Sequence, residues 1–216
     1  MVLFVWDFHG VLEIGNEKFI GETVNQVLQE NGFKTRISVE NMRLWYGIKL
    51  YEYFERLVPD ENKNRHISLQ ALCREKMTED ALQSSIRATP FAHDVLSMIA
   101  KNSSDQILIS NTSDSILDRY LRIVTMKPYF THIFPTNIPG QERTKTQVLC
   151  EYLQHNPPKK VVIIGDAPSD MELSQVNCTI PTRTYHYVHP GWEHRECSSD
   201  YKINDLREIL QELGNI

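Results

Sequence analysis

The sequence predicts a doubly wound α/β domain, with a parallel sheet, into which a small all-helical domain is inserted. Three observations predict it. Continuous apolar runs bounded by turn residues occur at Val2-Leu3-Phe4-Val5-Trp6, at 106–109 and at 161–164, with weaker runs at 131–134 and 179–182. From residue 89 onward amphipathic segments separate these runs, the pattern of parallel strands buried on both faces by helices. Between Glu13 and Ala88 no strand is expected, and the periodicity is helical throughout. The resulting division is an α/β core of 1–12 and 89–216 with a helical domain of 13–88.

The first strand meets Asp7-Phe8-His9-Gly10, which puts a carboxylate at its carboxyl end and a glycine three residues on to free the backbone for a tight turn. Helices are expected over 17–31, 38–57 and 68–86, with Gly32 and Pro59 punctuating the first two. Phe19, Ile20, Val24, Val27 and Leu28 keep helical spacing, as do Leu69, Leu72, Cys73 and Met77. The aromatic stretch Leu44-Trp45-Tyr46-Gly47-Ile48-Lys49-Leu50-Tyr51 has two readings: packing of the helical domain, or a substrate-facing surface that uses Trp45, Tyr46 or Lys49. After Thr89, Pro90 opens a helix to about Lys101, a strand follows, and a further helix covers 115–124. Pro157-Pro158 marks the turn before the strongest later strand.

Composition bounds the partners. A net charge of -5, with Lys and Arg scattered, gives no basic footprint for nucleic acid. The N-terminal apolar run is too short for an export signal or a membrane span, so a cytoplasmic protein without a membrane partner is expected. Cys73, Cys150, Cys178 and Cys197 include no C-x-x-C pair and are read as free thiols.

Four sites carry chemistry. Asp7 ends the first strand. Ser110-Asn111-Thr112 ends the strand around Ile107-Leu108-Ile109, where a hydroxyl and an amide either bind an anion or cap the next helix. Lys145 begins the amphipathic segment 146–153, a poor place for a cation beside a helix N-terminus, so compensating negative charge is expected; neighbouring Arg143 is a rival cation. Gly165-Asp166-Ala167-Pro168-Ser169-Asp170 follows Val161-Val162-Ile163-Ile164 and presents two carboxylates on a strand-to-helix turn, either as helix caps or as ligands of a hard cation. Ionised carboxylates about 4 Å apart repel by roughly 4 kcal/mol at an effective dielectric of 20, and a divalent cation resolves that conflict. Magnesium suits such oxygen donors and a phosphate substrate.

This ordered set resembles the haloacid dehalogenase superfamily hydrolases that carry a helical cap after the first strand. The likeness covers nearly the whole chain and includes Thr89-Pro90-Phe91-Ala92-His93-Asp94-Val95-Leu96 at the exit from the cap and Ser199-Asp200-Tyr201-Lys202-Ile203 as a closing strand. The resemblance implies that Asp7 is a nucleophile that forms an aspartyl-phosphate. It implies further that Ser110 and Lys145 hold phosphoryl oxygens and that Mg2+ is bound by Asp7, Asp166 and the main-chain carbonyl of His9, with Asp170 binding it directly or through water. Gly10, Asn111, Trp45 and Lys49 are the candidate substrate contacts, and the partner is a small phosphorylated metabolite.

His9 departs from the family pattern, which has a second Asp as acid and base. Three readings follow: His9 itself moves the proton, near its ordinary pKa of about 6.5; it is a spectator and turnover is confined to good leaving groups; or the chain is a phosphate-binding, regulatory relative. Family dehalogenases also lack the second Asp but are not expected to use magnesium, so Asp166 and Asp170 argue for phosphoryl chemistry. His186, His189, His194 and Cys197, around Pro190-Gly191-Trp192, match no standard metal pattern and are read as a polar surface loop.

Overall fold

Five apolar residues without a polar interruption make Val2–Trp6 a strand buried on both faces. In the computed structural model this is β1, in the middle of a six-stranded parallel sheet. The structure describes residues 1–138, 140–141, 143–177, 179–189 and 196–214, which divide into two compact units: 1–14 with 88–216, and 15–87.

In the first unit, β1 is followed by β2 (Glu13–Ile14) and, after the second unit and the boundary strand β3 (Arg87–Ala88), by α6 (Ala92–Lys101), β4 (Asp105–Ser110), α7 (Asp114–Ile123), β5 (His132–Pro135), α8 (Lys145–His155), β6 (Lys160–Gly165), α9 (Pro168–Met171), β7 (Thr182–Tyr187), β8 (Tyr201–Ile203) and a 3-10 helix, Leu206–Leu213. The sheet order is β5-β4-β1-β6-β7-β8, so the chain builds outward from β1 on one side and then returns to build on the other. Ligands bind in the crevice at such a reversal, outside the carboxyl ends of the strands.

The two-residue period sorts the core. Leu3, Val5, Ile107, Ile109, Val161 and Ile163 join Val148, Leu149, Tyr152 and Leu153 of α8 in one cluster. Phe4, Trp6, Leu108, Val162 and Ile164 alternate with them and are fully buried. The Trp6 indole reaches this interior because its Nε1 donates to buried Gln106, whose Nε2 donates in turn to the Leu96 carbonyl. Among the described residues no helix is long and apolar enough to cross a membrane.

The second unit contains α1 (Asn16–Glu30), α2 (Val39–Trp45), α3 (Leu50–Leu57), α4 (Lys63–Lys76) and α5 (Glu79–Ser85). Two long helices expected from the sequence are each broken. The segment 38–57 divides into α2 and α3, because Tyr46 leaves helical geometry with ψ 134° and Gly47 takes a positive φ of 94°. The segment 68–86 starts earlier, where Asn62 accepts from the Arg65 amide, and stops near Met77, after which Thr78 caps α5 through the Ala81 amide. The stretch from Glu13 to Ala88, expected to be free of strands, has β2 and β3 at its two ends, paired as a two-stranded sheet.

A third correction concerns the strand expected at 179–182. It runs over Thr182–Tyr187, a polar-looking sequence whose groups are satisfied by acidic partners: Asp200 accepts from the Thr184 amide and hydroxyl, and Glu212 from Tyr185 and Arg183. His186 therefore lies on a buried strand rather than in a surface loop. Pro190, Gly191, Trp192, His194 and Cys178 lie outside the described residues.

Candidate functional site

Strand register brings the first functional positions together. Trp6 pairs with Leu108 of β4 and Ile164 of β6, and the Asp7 amide donates to the Ile164 carbonyl at 2.9 Å. The carboxyl ends of β1, β4 and β6 therefore put Asp7, Ser110 and Gly165-Asp166 side by side. Asp7, Asp166 and Asp170 are buried, at 9%, 3% and 1% exposure, and one carboxylate oxygen from each lies within 4.8 Å of the others.

Gly165 is required by this geometry. A Cβ there would lie 2.2 Å from Asp170 Cβ and 2.5 Å from its carboxyl carbon, so the turn closes only without a side chain. Asp170 serves two partners: Oδ2 accepts from the Ala167 amide at 3.1 Å, and Oδ1 from Lys145. The capping and ligand readings of this turn thus coexist in one residue.

Lys145 is placed by the start of α8. The Thr144 hydroxyl accepts from the Gln147 amide and the Gln147 side chain accepts from the Thr144 amide, a reciprocal cap that fixes the first turn. Lys145 Nζ, on a side chain 7% exposed, bonds Asp7 Oδ1 at 2.5 Å and Asp170 Oδ1 at 2.7 Å. Its charge sits against the helix dipole, and two carboxylates offset that cost. Burial works against the ammonium, yet Asp170 and Asp7 outweigh it and hold the Lys145 pKa above the ordinary lysine value. Asp7 is raised: burial, reinforced by Asp170, exceeds the opposing pull of Lys145. Arg143, the rival cation, instead pairs with Glu151 at 2.8 Å near the surface.

One lysine cannot balance three buried carboxylates. The donor set, all hard oxygen on strand-end turns, fits a divalent cation such as Mg2+, which keeps some of its waters and takes few protein carboxylates. The His9 imidazole is not in that group. Its Nδ1 is 2.8 Å from Glu13 Oε1 and its Nε2 is 2.8 Å from Thr112 Oγ1. Any metal contact of His9 therefore falls to its main-chain carbonyl.

The loop explains how this happens. Gly10 takes φ 77°, and the amides of Val11, Leu12 and Glu13 all point to the Phe8 carbonyl, curling 8–13 tightly enough to set Glu13 beside His9. The His9 ring also meets Phe8 and Tyr120 edge-on, with centroids at 5.0 and 4.8 Å. Burial and the Glu13 charge push the Tyr120 phenol well above its ordinary range. Sequence reasoning gave no role to Glu13, Thr112 or Tyr120; the four-residue spacing from His9 to Glu13 was the available signal.

Ser110 is fully buried and its hydroxyl donates to Thr112 Oγ1 at 3.3 Å. Asn111 Oδ1 accepts from the Thr136 hydroxyl at 2.8 Å. In the second unit, Tyr46 is buried and its hydroxyl accepts from Asn16. The Trp45 ring lies 6.4 Å from Tyr53 and under the Arg56 guanidinium at 5.2 Å; Lys49 is half-buried at the start of α3.

Comparison with known proteins bears on this arrangement. Residues 4–179 match a family described as haloacid dehalogenase-like hydrolase. Among solved structures, the chain is similar to a hydrolase, haloacid dehalogenase-like family protein from Streptococcus pneumoniae, at 15% identity and TM-score 0.75, covering 98% of this chain and 97% of that one. A predicted phosphatase from Clostridium acetobutylicum matches at 15% identity and TM-score 0.75, over 100% and 98% of the two chains. A HAD-superfamily hydrolase, subfamily IA, from Geobacter sulfurreducens matches at 17% identity and TM-score 0.69, over 99% and 97%. At these identities the likeness is one of fold. No curated protein matches the sequence.

Proposed function

The chain belongs to the haloacid dehalogenase-like hydrolases, and on that premise we propose that it is a magnesium-dependent phosphatase of small phosphomonoesters. The observation that carries this reading is the meeting of three buried carboxylates with Lys145 at the adjacent ends of β1 and β6.

Asp7 attacks phosphorus, the bond to the ester oxygen breaks, and an aspartyl-phosphate forms; water then attacks that phosphorus and returns Asp7. Dividing one displacement into two leaves each step resting on positioning and charge stabilisation. Lys145 offsets the carboxylate charge of Asp7 and holds a phosphoryl oxygen, and the Ser110 hydroxyl donates to another. Mg2+, when held by Asp7, Asp166, Asp170 and the His9 carbonyl, would neutralise the remaining charge of the carboxylates and phosphate. His9 gives a proton to the departing oxygen and takes one from the attacking water. The helical segment 13–88 takes the role of the cap that the family resemblance implies. A cytoplasmic setting agrees with cysteines Cys73, Cys150 and Cys197 as free thiols.

Phosphate release from an aryl phosphate and a panel of phosphorylated metabolites, with magnesium and with chelator, tests the reading. Asp7→Asn is expected to abolish release. Halide release from haloacids that chelator leaves unchanged would overturn it. A second reading is favoured by one observation: both His9 nitrogens already have partners. A protein that binds phosphate in equilibrium dialysis without turning over any ester would be a phosphate-binding relative instead.

A further inference from the structure

We propose that Glu13 is a positioning residue for His9, holding the ring by Nδ1 so that Nε2, on the side of Thr112 and Ser110, is the nitrogen through which the proton moves. The inference rests on the reading of His9 as acid and base.

The Glu13 side chain is fully buried and its Oε1 lies 2.8 Å from His9 Nδ1. In the proposed arrangement Oε1 accepts, so the hydrogen between them belongs to Nδ1. Nε2 then faces Thr112 Oγ1 at 2.8 Å, and Thr112 Oγ1 accepts from Ser110 at 3.3 Å. With that hydrogen on Nδ1, Nε2 of the neutral ring is left to accept from the Thr112 hydroxyl. The carboxylate missing from position 9 has in effect moved behind the imidazole.

The arrangement serves both halves of the reaction. The Nδ1 contact with Glu13 fixes which nitrogen faces Thr112 Oγ1, and the Thr112 hydroxyl can both accept and donate there. Phe8 and Tyr120, edge-on to the ring, restrict its rotation. A side chain held by a hydrogen bond common to both protonation states reorients in neither.

The test combines a spectroscopic and a kinetic readout. In protein labelled with 15N-histidine, the His9 signals, assigned by their loss in His9→Ala, should show the Nδ1–H tautomer when the ring is neutral. Glu13→Ala should give mixed tautomers. On an alkyl phosphate Glu13→Ala should lower kcat about tenfold or more, while an aryl phosphate with a good leaving group changes by less than about twofold. Glu13→Gln keeps an accepting oxygen and should recover kcat to within about threefold of the parent. On a His9→Ala background, Glu13→Ala should cost nothing further. An Nε2–H tautomer in the parent, equal losses on both esters, or additive losses in the double variant would overturn the proposal. If no ester is turned over, the proposed function fails, and the tautomer alone decides how Glu13 holds His9.

Discussion

Asp7 and His9 stand two residues apart on one loop, yet the clusters around them are held by different forces. Asp7 joins Asp166, Asp170 and Lys145 in a group of buried charges that cannot balance itself. His9 joins Glu13, Thr112, Phe8 and Tyr120 in a group held by directed hydrogen bonds and ring edges. The difference teaches where each cluster is vulnerable. Removing one charge from the first leaves others buried and unpaired, so stability suffers. Removing the ring from the second takes one hydrogen bond from a buried carboxylate, a smaller cost, and the larger loss should fall on proton transfer.

The largest expected effect sharpens the electrostatic side. Lys145→Met strands Asp7 and Asp170, and the cost in urea denaturation without magnesium should be about 3–5 kcal/mol. Added magnesium should recover part of it, because a cation bound to the folded state replaces the lost charge. A cost under about 1 kcal/mol would break the comparison. The Lys145 pKa is higher folded than unfolded, so its contribution is fully present below the ordinary lysine value of 10.5 and is lost as pH rises through the folded value. The stability difference between parent and variant should therefore stay level to about pH 10 and narrow above it.

A smaller effect is expected on the imidazole side. His9→Ala takes the Nδ1 partner from the fully buried Glu13 carboxylate, so it should lose about 1–3 kcal/mol of stability, less than Lys145→Met, and about 100-fold in kcat on alkyl phosphates, with much less loss on esters of good leaving groups. His9→Asp should preserve or raise turnover and shift the acid limb of its pH profile. Equal activity of His9→Ala and parent on an alkyl phosphate would remove the acid and base role. The smallest effect belongs to Arg143→Ala, which should change turnover little and stability by less than about 0.5 kcal/mol, since its exposed pair with Glu151 touches neither cluster.

The same division explains what could be read from the chain. The electrostatic cluster was legible because its acids follow unbroken apolar runs, and a buried parallel strand ending in Asp announces itself in sequence. The imidazole cluster was not, because it depends on a loop curling around one carbonyl and on a threonine more than 100 positions away. The fold divides likewise. β1, β4 and β6 stand out as apolar runs, whereas β7 carries Thr182, Arg183 and Thr184, and its burial depends on Asp200 and Glu212 from later in the chain. The division of 38–57 depends on Gly47, whose left-handed φ interrupts apolar spacing that otherwise continues across it.

The crossing between the two units has a consequence for modularity. Within the first unit, Thr89 donates to the Leu12 carbonyl, so the sheet-bearing segment is already joined across the point of insertion. Within the second, Gly15 approaches so near Ser85 that a Cβ would lie 2.1 Å from its carbonyl oxygen, so the helical segment is also closed at its base. Each piece has its own ends in contact. The helical piece is therefore a cassette whose two ends lie together, and excising it takes two cuts, one between Ile14 and Gly15 and one between Arg87 and Ala88.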